Sequence, residues 1–269
     1  MNIPFEQRGT YLLTGGGNTR AFFDKGLECT GMAKPVVTID RSGHPPHKKD
    51  NPGPAWHSIC QYFREKGLVV NDLETSIVNG GAENTLLSSD YMYVCGGSTR
   101  LLAKTWDHLG FTGPILERIR ANRLVVAGGS AGAMVWFDQG YSDSSFMENP
   151  TNMNWRYITA HGIGSLPGFV TAHHSDIDTS ETNKKGFDRG KGFRRYLNNH
   201  SGEWGQAFGL DTYGGMICVD GIATAVELLN PSQRQEHGYD QHTLNYYSAN
   251  TTTPRRLEDG EQISLFGTK

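Results

Sequence analysis

Short apolar runs that alternate with segments of helical spacing predict an α/β fold, a mostly parallel sheet with helices on both faces. Three observations carry the prediction. Residues 36–39, 91–95 and 124–127 are apolar or β-branched almost without interruption, as strands buried on both faces require. Glycines gather where such runs end: Gly15-Gly16-Gly17 after Tyr11-Leu12-Leu13, Gly96-Gly97 after 91–95, and Gly128-Gly129 after 124–127. Helix-length segments lie between them and stop at glycine.

Taken in order, residues 11–14 read as a strand, 19–30 as a helix or loop, and 35–39 as a strand. Residues 54–66 form a helix because Trp56, Ile59, Cys60 and Phe63 recur at helical spacing, and the segment stops at Gly67. A strand over 68–73 and another over 91–95 follow. The helix at 99–109 stops at Gly110; a further helix covers 114–121, a strand 123–127, and then come Ser130 and a helix. After residue 160 the expected strands shorten, to 168–172, 207–210, 215–219 and 223–228, around a helix near 183–199. These strands are expected to finish the same sheet. Residues 40–53 and 230–256 are polar and proline-bearing, and read as surface loops. With no proline/serine linker and no internal repeat, residues 1–269 are expected to form one domain.

The formal net charge of −3 is spread without blocks, so nucleic acid and anionic membrane are not expected partners. No apolar run is long enough to span a bilayer, and residues 1–6 lack the basic and apolar regions of a secretory signal. Cys29, Cys60, Cys95 and Cys218 form no CxxC pair, which argues against a zinc or redox motif and suits a reducing cytoplasm. Glycine stands out, at 34 of 269 residues, about 13% against an average usage near 7%.

The chemistry is concentrated around Gly128-Gly129-Ser130-Ala131-Gly132. Here a serine stands on a sharp turn between a buried strand and a helix, with glycine two residues away on each side, as in a nucleophile elbow. The helix start favours a developing anion, and the Ala131 N–H would be one oxyanion donor. A lone elbow motif is matched as well by a small-residue turn that simply lets helix and sheet pack. Two other strand ends add weight. Cys95-Gly96-Gly97-Ser98-Thr99 would bring the Gly97 N–H to the same carboxyl edge as a second donor, and Val170-Thr171-Ala172-His173-His174-Ser175-Asp176 would bring a histidine base.

These segments resemble the peptidase E and cyanophycinase family of serine peptidases, whose flavodoxin-like core is related to class I glutamine amidotransferases. The resemblance covers most of residues 68–228. It rests on 90–99, on Gly129-Ser130-Ala131-Gly132-Ala133, on Gly162-Ile163-Gly164 through His173, and on Phe208-Gly209-Leu210-Asp211 before the strand at 216–219. It implies Ser130 as nucleophile, His173 as base, and an acid some way past the serine. Asp143 in Tyr141-Ser142-Asp143-Ser144 fits that position best, with Glu148 as runner-up and Asp138 read as a solvated helix residue. His174 falls on the family's aromatic position, and Ser98 on that of an asparagine. Both are taken as substrate-binding, with a packing role the alternative for His174. No cofactor or metal is implied. The expected partner is a small peptide, and a homodimer is one assembly the chain could adopt.

Peptidase E cleaves dipeptides with amino-terminal aspartate and cyanophycinase an aspartate-arginine polymer, so the resemblance implies a cation for the substrate carboxylate. Where the peptidase E branch has Glu-Thr-Arg, this chain reads Glu181-Thr182-Asn183-Lys184. Lys184, Arg189, Arg194 and Arg195 are the substitutes available, although such spacing more often marks a solvated helix face. A second reading is a non-catalytic, ligand-binding relative of the amidotransferase fold. Nucleotide binding at Thr14-Gly15-Gly16-Gly17-Asn18-Thr19, with Asp40 as ribose ligand, is disfavoured by Arg20 where the fingerprint needs glycine.

Overall fold

The computed structural model describes residues 4–17, 19–45, 53–152, 155–176, 187–229, 232–233, 244–249 and 251–266, with only the backbone described at 53–55. In β1 (Thr10–Thr14), successive side chains go to opposite faces: Tyr11 and Leu13 join one apolar cluster and Leu12 another. The same division splits Met92 and Val94 from Tyr91 and Tyr93 in β4 (Tyr91–Val94). It also splits Val126 from Val125 and Ala127 in β5 (Val125–Gly129). Strands so apolar on both sides need cover on both sides, and they receive it.

On one face lie α1 (Arg20–Cys29) and α2 (Gly53–Glu65), through Phe22, Phe23, Cys60 and Phe63. Between them in sequence runs β2 (Val37–Asp40); after them come β3 (Val70–Asp72) and two short helices, α3 (Leu73–Val78) and α4 (Ala82–Ser88). On the other face lie α5 (Thr99–His108) and α6 (Thr112–Arg120), through Leu102, Trp106, Ile115 and Ile119. The mixed α/β arrangement of flavodoxin-like type is therefore the fold, with β1, β5, β4, β2 and β3 side by side and parallel. Their carboxyl ends share one edge.

Several features differ from the sequence expectation. The helix after Ser130 is a single turn, α7 (Ala131–Met134), and the chain passes directly into β6 (Phe137–Ser142), the short α8 (Ser144–Glu148) and β7 (Ile158–His161). Also, β8 (Leu166–Ala172) and β9 (Gln206–Leu210) do not finish the main sheet. They build a second one in the order β13-β12-β9-β8-β6-β7, in which β6, β8 and β9 are parallel.

The main sheet is instead finished by β10 (Gly214–Val219), antiparallel to β1, then β11 (Ile222–Glu227) and β14 (Gln262–Ser264). Strands β12 (Leu244–Ser248) and β13 (Arg255–Leu257) occupy part of the stretch read as loop. The described part of the last expected helix is α9 (Arg189–Asn199); residues 183–186 lie outside the described residues. Val170, Ala172 and Phe208 face the main sheet's core, while Phe169 and Ala207 face Phe193 and Leu197 of α9. Both faces of the second sheet are thus buried as well, a demand that continuous apolar runs announce without saying which sheet will meet it.

Candidate active site

Ser130 leaves β5 with φ 56° and ψ −121°, a left-handed-side backbone that a residue with a side chain rarely holds. The surroundings impose it. Its N–H donates to the Thr14 carbonyl (3.1 Å), and its own carbonyl accepts from Ala133 and Met134, both at 3.0 Å. The flanking glycines are sites of close approach: a Cβ at Gly128 would stand 2.1 Å from the Gly132 carbonyl oxygen, and one at Gly132 2.1 Å from that of Val94. Strand and helix can meet this tightly only with hydrogen at both positions, and the result turns the serine outward at the sheet edge.

His173 arrives from the second sheet, just past the end of β8, also with positive φ (52°). Its Nε2 lies 3.1 Å from Ser130 Oγ. Its Nδ1 lies 3.2 Å from Asp176 Oδ2 and 2.9 Å from Thr212 Oγ1, and the Thr212 hydroxyl donates to Asp176 Oδ2 at 2.9 Å. Burial alone would raise the Asp176 carboxyl. Hydrogen bonds from His173 and Thr212, the His173 charge and the nearby Arg189 outweigh it and hold the group below the ordinary carboxylate range.

The amino-terminal glycine turn sits beneath this pair. A Cβ at Gly15 would stand 2.1 Å from the Leu210 carbonyl oxygen, one at Gly16 2.4 Å from His173 Cε1, and one at Gly17 2.2 Å from the Tyr213 ring. The turn is therefore packed against the imidazole and the 211–213 connection. Asp40 is fully buried, accepting from Ser42 N–H (2.8 Å) and Trp106 Nε1–H (2.7 Å), so it is spent inside the fold rather than offered to a ribose.

The Gly96-Gly97 turn stands beside the serine: a Cβ on Gly96 would touch Ser130 Cβ at 3.4 Å. Gly97 has φ +137°, and a Cβ there would meet the Gly43 carbonyl at 2.5 Å. Among the described residues, neither the Gly97 nor the Ala131 N–H has an acceptor, and Ala131 opens α7, where such donors are left over.

Other expected residues lie elsewhere. Asp143 is not behind His173; its Oδ2 pairs with Arg189 at 3.4 Å. It occupies the N-cap position of α8 without a side-chain capping bond, and its carboxylate is committed to Arg189 of α9. Glu148 is taken by Arg100 (3.0 and 2.5 Å) and by the Ser98 hydroxyl (2.6 Å). Asp138 accepts from Gly168 N–H at 2.9 Å. Ser98 is fully buried as the N-cap of α5, accepting from Leu101 N–H, and so presents nothing to a substrate.

His174 is buried too. Its Nε2 is 2.6 Å from Tyr247 Oη, its Nδ1 is 3.5 Å from Asp211 Oδ1, and its ring presses on Gly209 and Gly190. Of the substitute cations, Arg189 is held by Asp143 and lies over the Tyr157 ring, and Arg194 and Arg195 border a depression with Thr252 and Pro254. Lys184 lies outside the described residues. The acid in place, Asp176, stands three residues after His173. An acid that close on the same strand end is the signal that could have found it; Thr212 had none in the sequence.

A family model described as Peptidase family S51 matches residues 54–216. The uncharacterised peptidase YgaJ of Bacillus subtilis (strain 168) is 43% identical over 60 residues, a match that covers 22% of this chain and about a quarter (26%) of that protein. A peptidase from an acI-B1 Actinobacterium superposes with a TM-score of 0.66 over 96% of this chain and 97% of its own, at 16% identity. A protein assigned to peptidase E from Listeria monocytogenes EGD-e gives 0.59 over 82% and 99%, also at 16% identity. At such identity the two structures speak for the fold.

Proposed function

The chain belongs to peptidase family S51, a family of serine peptidases, and from that premise we propose that Ser130, His173 and Asp176 hydrolyse a small peptide or isopeptide amide as a triad. The observation that carries the reading is the strained Ser130 with its Oγ 3.1 Å from His173 Nε2. Ser130 Oγ attacks the carbonyl carbon as His173 Nε2 takes its proton. The same proton then goes to the departing amine, and a water repeats the sequence to free the acyl group. Asp176 keeps the Nδ1–H tautomer and offsets the imidazolium charge. The Gly97 and Ala131 amides receive the oxyanion, each such donor contributing about 2.7–4 kcal/mol of barrier reduction.

Aspartate at the substrate's amino end is the finer form of this reading, and it rests on the family resemblance alone. Two cations close to the edge, Arg41 and Arg189, are each held by a carboxylate of the chain: Asp72 at 3.1 Å and Asp143 at 3.4 Å. Binding a substrate carboxylate there would mean exchanging one anion for another.

Ser130→Ala is expected to abolish both dipeptide hydrolysis and fluorophosphonate labelling, and Asp176→Asn to lower kcat by about 10⁴ as in other triads. Asp143→Asn should stay within a few-fold of wild type. Full activity in Asp176→Asn, with loss in Asp143→Asn, would reverse the assignment of the acid. Equal hydrolysis of Asp-Leu and Ala-Leu would remove the aspartyl preference and leave the triad standing.

A further inference from the structure

Asp176 and His173 share one short stretch of chain, three residues apart. An acid on the same loop as its base can move with it, and so cannot by itself fix the imidazole relative to a nucleophile on another sheet. Thr212 is differently placed. It lies between β9 and β10, at the passage from the second sheet to the main one, and pairs across to Gly16 in the turn after β1. Its neighbours are tied down: Tyr213 N–H donates to the Gly16 carbonyl (3.2 Å), and Gly214 N–H to that of Asp211 (3.1 Å). The fully buried Asp211 holds the same connection to the second sheet, accepting from Ser175 Oγ (2.6 Å) and from Asn245 Nδ2 of β12 (3.0 Å), so the contact with Gly16 is what ties Thr212 to the main one. Ser130 hangs from that same β1 through Thr14. Thr212 is thus fixed in the frame that carries the nucleophile.

The hydroxyl's bonds are fully accounted for. Its single proton goes to Asp176 Oδ2 (2.9 Å), and its oxygen is then free to accept from His173 Nδ1–H at 2.9 Å, shorter than the 3.2 Å from Nδ1 to the carboxylate itself. We propose that Thr212 is a positioning residue of this reaction, whose hydroxyl locks the His173–Asp176 loop to the Ser130 frame and fixes the Nδ1–H tautomer. The proposal rests on the triad reading above. It adds that the carboxylate is insufficient without a hydroxyl bridge from the connection that is tied to the turn after β1. Gly16 beneath the imidazole closes the other side, so the ring is confined between a methyl-free turn and one hydroxyl.

The test uses Thr212→Val, which keeps the shape and removes the hydroxyl, and Thr212→Ser, which keeps the hydroxyl, with Asp176→Asn beside them. In the full chain, Thr212→Val is expected to lower kcat about tenfold to a hundredfold, as small misplacements of reacting groups do, with KM within about twofold. Thr212→Ser should recover most of the loss. The downfield proton NMR signal of the His173 ring, identified by its absence in His173→Gln, should shift or broaden in the valine variant and return in the serine one. Should valine fail to fold, Thr212→Ala against Thr212→Ser gives the same comparison.

Unchanged kcat and an unchanged ring signal in Thr212→Val overturn the proposal, as does equal impairment of the valine and serine variants. A fully active Asp176→Asn beside an impaired, serine-rescued Thr212→Val overturns Asp176 as the acid while upholding the hydroxyl's hold on His173.

Discussion

A methyl group at position 16 would stand 2.4 Å from His173 Cε1, closer than carbon atoms approach, and the obstacle is a side chain rather than backbone. The imidazole can swing aside; the core need not change. Gly16→Ala is therefore expected to lower kcat at least about tenfold while the melting temperature stays within a few degrees, since displacement near 1 Å at a reacting group costs up to ~10²-fold. Steady-state kinetics with a thermal melt check it, and undiminished kcat would mean that the ring does not depend on the turn. Gly128 is the contrast, because there the obstacle is the Gly132 carbonyl, which cannot move without parting helix from strand. The strain at Ser130 and His173 belongs to the same scale. Both hold positive φ only because neighbouring hydrogen bonds and close packing leave them no alternative.

At the scale of elements, α8 acts as a strap across the first turn of α5. Glu148 accepts from Arg100 and from the N-cap Ser98, and Ser144 Oγ accepts from the Arg100 N–H at 3.2 Å. The strap steadies the turn bearing Gly97, so Ser98 and Glu148 are engaged in holding the start of α5. Burial raises the Glu148 carboxyl, but its bonds from Arg100 and Ser98 outweigh that and lower it below its ordinary value. A carboxyl lowered in the folded state stabilises above its unfolded pKa, about 4.3, and loses that stabilisation as pH falls through the folded value. Glu148→Gln is accordingly expected to cost about 1 kcal/mol at neutral pH, the pair being partly solvated, with the gap from wild type narrowing below about pH 4. Urea titrations at a series of pH values measure it; a gap that widens in acid contradicts the sign.

Over the whole molecule, one apolar cluster joins Tyr11, Val126 and Trp136 to Val170, Phe208 and Leu244, so the two sheets share a core. Phe208 is fully buried in it, with ring centroids 5.5 Å from Phe137 and 5.7 Å from Tyr246. Phe208→Ala is expected to cost about 3–5 kcal/mol and to lower both sheets in a single denaturation transition; two separated transitions would show that the sheets unfold independently. That shared core brings Ser130, on the main sheet, to His173 and Asp176, past the end of β8 in the second, with Thr212 in the connection that passes from the second sheet to the main one. The amino-acid sequence by itself determined the α/β class, the buried strands read over 91–95 and 123–127, the serine on its glycine-flanked turn and the histidine after an apolar run. Each of these is a local pattern of period, glycine and small residue. Only the tertiary structure decided that 166–172 and 206–210 form a separate sheet, that Asp143 turns to Arg189 while Asp176 faces the imidazole, and that Thr212 and Gly16 close around it. Strand partners and carboxylate partners are set by competition among distant groups for burial and charge. Local pattern says that a strand must be covered or a carboxylate neutralised, but not by what.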